Sequence, residues 1–165
     1  MPYLVDSDIL IALREGQPGA QALIERLAPA GLTISIITYM EAYQGTLRSF
    51  DQVRAQAVLA AFLDDVPIVP FSLSAARRCA ALREDMARQG KRVRSRALDL
   101  ITASIALEPG YTLVTRNRKD YEDIPEEVRK TMEFVWLDTV DQAVEAALEA
   151  APGRAAAGSR SAEAA

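Results

Sequence analysis

The sequence predicts an α/β fold, an α/β/α sandwich around a central, mostly parallel sheet, and two observations carry this. Short apolar runs rich in β-branched residues alternate with longer helical patterns along the chain, as strands joined by helical crossovers do. The 165 residues, half of them hydrophobic, are enough for one domain that buries a substantial core.

From the amino end, Tyr3, Leu4 and Val5 lie in a strand expected over 2–6, and Ile9, Leu10, Ala12 and Leu13 in a helix near 8–14 that follows almost at once. A helix over 18–28 precedes a strand over 31–37, whose LTISII run is β-branched and apolar. Helices near 39–48 and 51–63 lead to the strand VPIVP over 66–70, and a long helix runs from Ser72 to about Gln89. The loop QGKRVRSR then opens helix 97–107, followed by strand 112–115 (TLVT), the turn NRKDYEDIP and a last strand, EFVWL, over 133–137. A single domain is thus expected over 1–138, with a terminal helix over 139–150. The stretch 151–165 is low in complexity and has few anchoring groups, so disorder is expected there.

Composition removes several chemistries. Histidine is absent, which excludes Ser-His and Cys-His nucleophiles, imidazole metal sites and histidine acid–base ribonuclease chemistry. The one cysteine, Cys79, cannot form an internal disulfide and reads as a small core residue. No apolar run approaches the roughly 20 residues of a membrane span, and the amino terminus lacks the basic segment of a signal peptide. A cytoplasmic protein without membrane contact is expected, whose catalysis must use carboxylates, Lys, Tyr or metal ions.

Charge is strongly segregated. Residues 77–119 hold eleven Lys/Arg against four Asp/Glu, residues 120–150 two against ten, and residues 1–76 four against eight. The basic middle, with Arg77, Arg78, Arg83, Arg88, Lys91, Arg92, Arg94 and Arg96, is suited to a phosphate backbone although the whole chain carries a net charge of −4. A solvated helix face and a mobile loop give the same pattern.

Four acids follow strands at the entrances to helices. Asp6 and Asp8 interrupt YLVDSDIL at the carboxyl end of the first strand; the plain alternative is that Asp8 or Ser7 caps the helix and Asp6 is a turn residue. Glu41 sits in SIITYMEAYQG, where Thr38 and Glu41 also read as a capping box. Asp99 lies in ALDLITASIAL, apolar nearly all round, where a carboxylate needs a metal ion or an arginine partner. In LVTRNRKDY, Thr115, Asn117 and Asp120 come directly after a strand, with Asn117 a fair helix cap. Parallel strands gather their carboxyl ends, so Asp6, Glu41, Asp99 and Asp120 are expected to converge. Clustered carboxylates repel, and such a pocket is stable mainly as a ligand set for hard divalent cations, Mg²⁺ or Mn²⁺. Bound ions of this kind activate water and stabilise the leaving oxygen of a phosphodiester, so metal-dependent phosphodiester hydrolysis is expected.

Taken in order, LVDSDILI, ITYMEAYQG, LDLITASIAL and LVTRNRKDY resemble the PIN-domain ribonucleases, most closely the VapC toxins of toxin–antitoxin pairs, over residues 3 to about 137. The resemblance implies a PIN-like α/β/α sandwich and a Mg²⁺-dependent endoribonuclease, whose products carry 5′-phosphate and 3′-hydroxyl ends. It matches the family's acids to Asp6, Glu41, Asp99 and Asp120, all metal ligands or catalytic groups, with Thr115 and Asn117 in support. It also implies tRNA, rRNA or mRNA as substrate, a cognate VapB-like antitoxin and a homodimer. Lys91, Arg92, Arg94, Arg96 and Arg116 are the expected RNA contacts. Two departures stand out: RVRSRALD brings arginines where the family often has a glycine-containing approach to its third acid, and Tyr121 replaces the usual Phe after the last.

Three alternatives remain at this level. One is a housekeeping PIN nuclease without an antitoxin. Another is a haloacid-dehalogenase-like phosphatase, which also starts with Asp-x-Asp but wants Thr where this chain has Leu10. The third is a non-catalytic RNA- or protein-binding scaffold.

Overall fold

The computed structural model describes residues 2–91, 93–108, 110–129 and 133–136; the side chains of Arg118, Asp120, Glu127, Val128 and 133–136 fall outside that description. Arg92, the terminal helix expected over 139–150 and the tail over 151–165 also lie outside the described residues.

Among the described residues, five strands, β1 (Tyr3–Val5), β2 (Leu32–Ser35), β3 (Ile68–Val69), β4 (Thr112–Thr115) and β5 (Glu133–Trp136), form one sheet in the order β3-β2-β1-β4-β5. Every neighbouring pair is parallel, with Val5 beside both Ile34 and Val114. The chain steps from β1 outward to β2 and β3, then crosses to β4 and β5 on the other side. The carboxyl end of β1 is therefore the point where strand order reverses, and a crevice opens there in sheets of this kind.

Among the described residues, eight α-helices connect and cover the strands: α1 (Ser7–Arg14), α2 (Pro18–Leu27), α3 (Ile36–Leu47), α4 (Gln52–Leu63), α5 (Leu73–Arg88), α6 (Ala97–Ala106), α7 (Arg118–Glu122) and α8 (Glu126–Arg129). Because side chains alternate across a strand, each central strand feeds two cores. Leu4 and Leu113 point to one face and pack with Cys79, Leu82 and Met86 of α5 and Leu100 and Ala103 of α6. Val5, Ile34 and Val114 point to the other and pack with Ile9 and Leu10 of α1 and Leu23 and Leu27 of α2. The result is the three-layer α/β/α sandwich expected from the sequence. Strands buried on both faces explain why these segments read as unbroken apolar runs.

Caps set where the helices begin, and here the structure corrects several sequence readings. Asp6, not Ser7 or Asp8, holds the cap position of α1, its Oδ1 accepting the Ser7 N–H at 2.8 Å. The chain leaves β2 two residues before the expected end at 37, because the Ser35 hydroxyl accepts the Thr38 N–H at 2.9 Å and starts α3 at Ile36. Thr38 is thus inside the helix and no capping box with Glu41 forms; one buried serine outweighs the β-branched pair Ile36 and Ile37. The third strand shrinks from 66–70 to Ile68–Val69, as Pro67 and Pro70 bound it. Helix α5 ends as its length suggested. Gly90, at φ 70°, lets the Lys91 N–H reach the Met86 carbonyl at 3.0 Å and the Gly90 N–H reach Ala87 at 3.0 Å.

Candidate active site

The site is built at the carboxyl ends of β1 and β4, which the Asp6 N–H joins directly by donating to the Val114 carbonyl at 3.0 Å. The two strands end in step, so Asp6 leaves β1 beside Thr115, the last residue of β4.

Asp6 accepts from one neighbour in sequence and from one residue at the far end of the domain. Ser7 N–H binds Oδ1, and the Tyr121 hydroxyl donates to Oδ2 at 2.7 Å. Tyr121 is completely buried, with its ring in the core beside Leu4, Leu113 and Ile124. Burial first, and the Asp6 charge next, push its hydroxyl pKa well up, so it stays protonated and donates.

Asp8, two positions on, turns to β4. Its Oδ2 accepts the Arg116 N–H at 2.6 Å and lies 3.4 Å from the Thr115 hydroxyl, whose own oxygen accepts the Asn117 N–H at 3.1 Å. Its other oxygen, Oδ1, is buried without a hydrogen-bond partner among the described residues. Burial, then the neighbouring Asp6 charge, raises the Asp8 pKa to about 6. A carboxyl with one orphaned oxygen beside a second carboxylate is a group that gains from a proton or a cation.

Asp99 stands in the first turn of α6, half-buried rather than enclosed, with the fully buried stretch of that helix beginning at Leu100. Its charge, like those of Asp6 and Asp8, acts on the Tyr121 hydroxyl. Asp6 thus touches this buried phenol, and the charges of Asp99 and Asp8 reach it. Glu41 is half-buried on α3, which packs on α6, and no contact between it and these acids is among those seen for the described residues. Asp120 is in α7 directly before Tyr121, with its side chain outside the described part. Asn117 takes the cap position of α7 without a side-chain capping bond. Among the described residues no three carboxylates or cysteines form a cluster that would enclose a metal ion unaided.

The basic residues nominated from the sequence divide into two groups. Lys91 donates to the Asp123 carbonyl at 2.8 Å, and Arg96 pairs with the Asp123 carboxylate at 3.8 Å, so both tie the loop before α6 to the turn after α7. Arg94 and Arg116 are exposed, the latter with its guanidinium on the Gln17 side-chain oxygen at 3.0 Å.

Sequence reasoning missed two residues of this constellation. Asp8 was set aside as a possible cap and Tyr121 noted only as an aromatic replacement. The signal for Asp8 was a second acid two positions after the first, more than one helix cap requires.

A family model described as PIN domain matches residues 3–127. Over 124 residues the chain is 26% identical to the tRNA(fMet)-specific endonuclease VapC of Shigella flexneri, covering 75% of this chain and 92% of that protein. Among solved structures, VapBC2 of Rickettsia felis, bound to a DNA fragment from their promoter, superposes with a TM-score of 0.71 at 26% identity, over 84% of this chain and all of that one. A shorter stretch of 37 residues, 22% of the chain, is 54% identical to part of the Lon protease of Methylocella silvestris; the chain spans only 5% of that protein's length there.

Proposed function

The chain belongs to the PIN-domain family, and from that premise we propose that it is a metal-dependent endoribonuclease acting as the toxin of a toxin–antitoxin pair. The observation that carries the proposal is the pair Asp6 and Asp8 at the junction of β1 and β4, with the Asp99 charge reaching the same Tyr121 hydroxyl, on a chain that is similar to a VapC endonuclease over 92% of the latter's length.

The donor set suits Mg²⁺ or Mn²⁺. Such an ion is commonly held by one or two carboxylates, with water and substrate phosphate filling the remaining positions. Asp6 and Asp99 would be its ligands, with Glu41 and Asp120 completing the set directly or through water. When bound, it supplies Lewis acidity to the scissile phosphate and lowers the pKa of an attacking water. The chain's own groups do the rest. Asp8 accepts the Arg116 N–H and the Thr115 hydroxyl accepts the Asn117 N–H, ordering a loop beside Asp6 whose exposed Arg116 and Asn117 would contact an incoming phosphate. Cations at the rim, Arg94 and Arg116, offset the repulsion between an acidic pocket and a polyanion.

A nuclease toxin must be restrained in its own cell, and a VapB-like antitoxin is the fitting partner. An Arg or Lys inserted among the acids would neutralise them. An apolar cleft between α1, α3 and α4, lined by Leu10, Ile11, Leu13, Val58, Leu59 and Phe62, offers a seat for the antitoxin's apolar residues. Expression of this chain alone should arrest growth, and co-expression with the adjacent reading frame should restore it, while Asp99→Asn should be harmless alone. Normal growth with the parent chain folded and abundant would overturn the toxin reading and favour a PIN nuclease with no antitoxin.

A further inference from the structure

On the metal reading above, we propose that Tyr121 is a positioning residue that fixes the Asp6 carboxylate for its cation and ties the helix carrying Asp120 to the first acid. Its hydroxyl lies 2.7 Å from Asp6 Oδ2 across 115 positions of sequence, and its side chain is wholly shielded from solvent. The ring is wedged in the core with Leu4 of β1, Leu113 of β4 and Leu100 of α6, so the position of the hydroxyl is set by hydrophobic packing rather than by a mobile surface group. With Ser7 N–H on Oδ1, the Asp6 carboxylate has a donor on each oxygen, one local and one from the far end of the domain. A donor on each oxygen fixes the plane and direction in which the carboxylate presents itself to a metal ion.

The same bond has a second consequence. Asp120 precedes Tyr121 in the five-residue helix α7, which has no side-chain cap to define its start. The hydroxyl link to Asp6 ties that helix to the β1–α1 corner, while Lys91 and Arg96 tie its far end to the loop before α6. The Asp6 charge, and beyond it those of Asp99 and Asp8, act on this one hydroxyl. Phenylalanine at 121 would fill the same space and remove only the link. Outer-shell donors to metal-binding carboxylates typically govern affinity by 10- to 100-fold.

The test is Mn²⁺ binding to the metal-free full-length protein by titration calorimetry, with thermal melting recorded on the same samples. Tyr121→Phe should weaken Mn²⁺ binding by about tenfold. Tyr111→Phe, at a residue just before the amino end of β4 and so at the opposite edge of the sheet from Asp6, should leave it unchanged. A packing role alone would lower the melting temperature and spare the affinity, so equal Mn²⁺ affinity in parent and Tyr121→Phe overturns the inference while leaving the metal reading intact. No Mn²⁺ binding by the folded parent would remove the metal reading and the inference with it.

Discussion

The carboxylate of Asp8 accepts the backbone N–H of Arg116 at 2.6 Å, joining the first helix to the loop after β4 across 108 positions. That contact orders the loop that carries Asn117, and it leaves the other Asp8 oxygen buried and unpartnered among the described residues.

Stability of the metal-free protein should depend on pH through this residue. The folded state raises the Asp8 pKa from 3.8 to about 6 and so binds its proton more tightly than the unfolded chain. The contribution is complete below about pH 4 and is lost as pH rises through about 6, a swing of at most about 3 kcal/mol at ~1.4 kcal/mol per unit, reduced by partial solvent exposure. Asp8→Asn keeps an acceptor for Arg116 and removes the titration. Thermal melting from pH 4.5 to 7 should fall for the parent and run flatter for the variant; parallel profiles would contradict the assignment.

The cations before α6 should separate by role. Lys91→Ala removes the bond to Asp123 and should lower stability by about 1–2 kcal/mol in denaturant unfolding. Arg94→Ala should leave the unfolding curve in place but weaken RNA binding and flatten its salt dependence by roughly 0.7 in log–log slope. Fluorescence anisotropy with labelled RNA in EDTA reads the second effect. An unchanged slope for Arg94→Ala would mean that this arginine is merely solvated.

Ile36, Met40, Tyr43 and Leu47 recur at a 4-3-4 spacing along α3 and are exposed, as are Phe50 and Val53 beyond them. Such a stripe is the seam by which one helix packs on another. Covering a side chain of this kind is worth roughly 1.5–3 kcal/mol when burial is complete. The parent should sediment as a dimer, and Met40→Glu with Leu47→Glu as a monomer of unchanged melting temperature. A monomeric parent at micromolar concentration would rule out this face as a self-association surface.

How far the sequence reached is clearest at particular residues. The parallel sheet was legible because β1, β2 and β4 are buried on both faces and their apolar runs have no other use. Asp6 and Asp99 stood out as candidate acids because they interrupt apolar sequence, yet the structure gives Asp6 a local role as the cap of α1 and leaves Asp99 half-buried rather than enclosed. Ser35 was not legible as a cap, since the surrounding LTISII favours a strand and only the burial of its hydroxyl against Thr38 decides otherwise. Asp8 and Tyr121 were missed because their partners, Arg116 and Asp6, lie more than a hundred positions away, where no local pattern reports them. Lys91 and Arg96 read as free cations for the same reason, their common partner Asp123 being brought to them only by the fold.

The central claim is that acids gathered at the carboxyl edge of the sheet hydrolyse RNA with a divalent ion, and Asp99→Asn tests it most directly. The purified parent should cleave single-stranded or looped RNA with Mg²⁺ or Mn²⁺ and stop on addition of EDTA. Asp99→Asn should melt no lower than the parent, because removing one charge relieves repulsion among the acids, and should cleave at least about a hundredfold more slowly. Cleavage by the folded variant at the parent's rate would contradict the account.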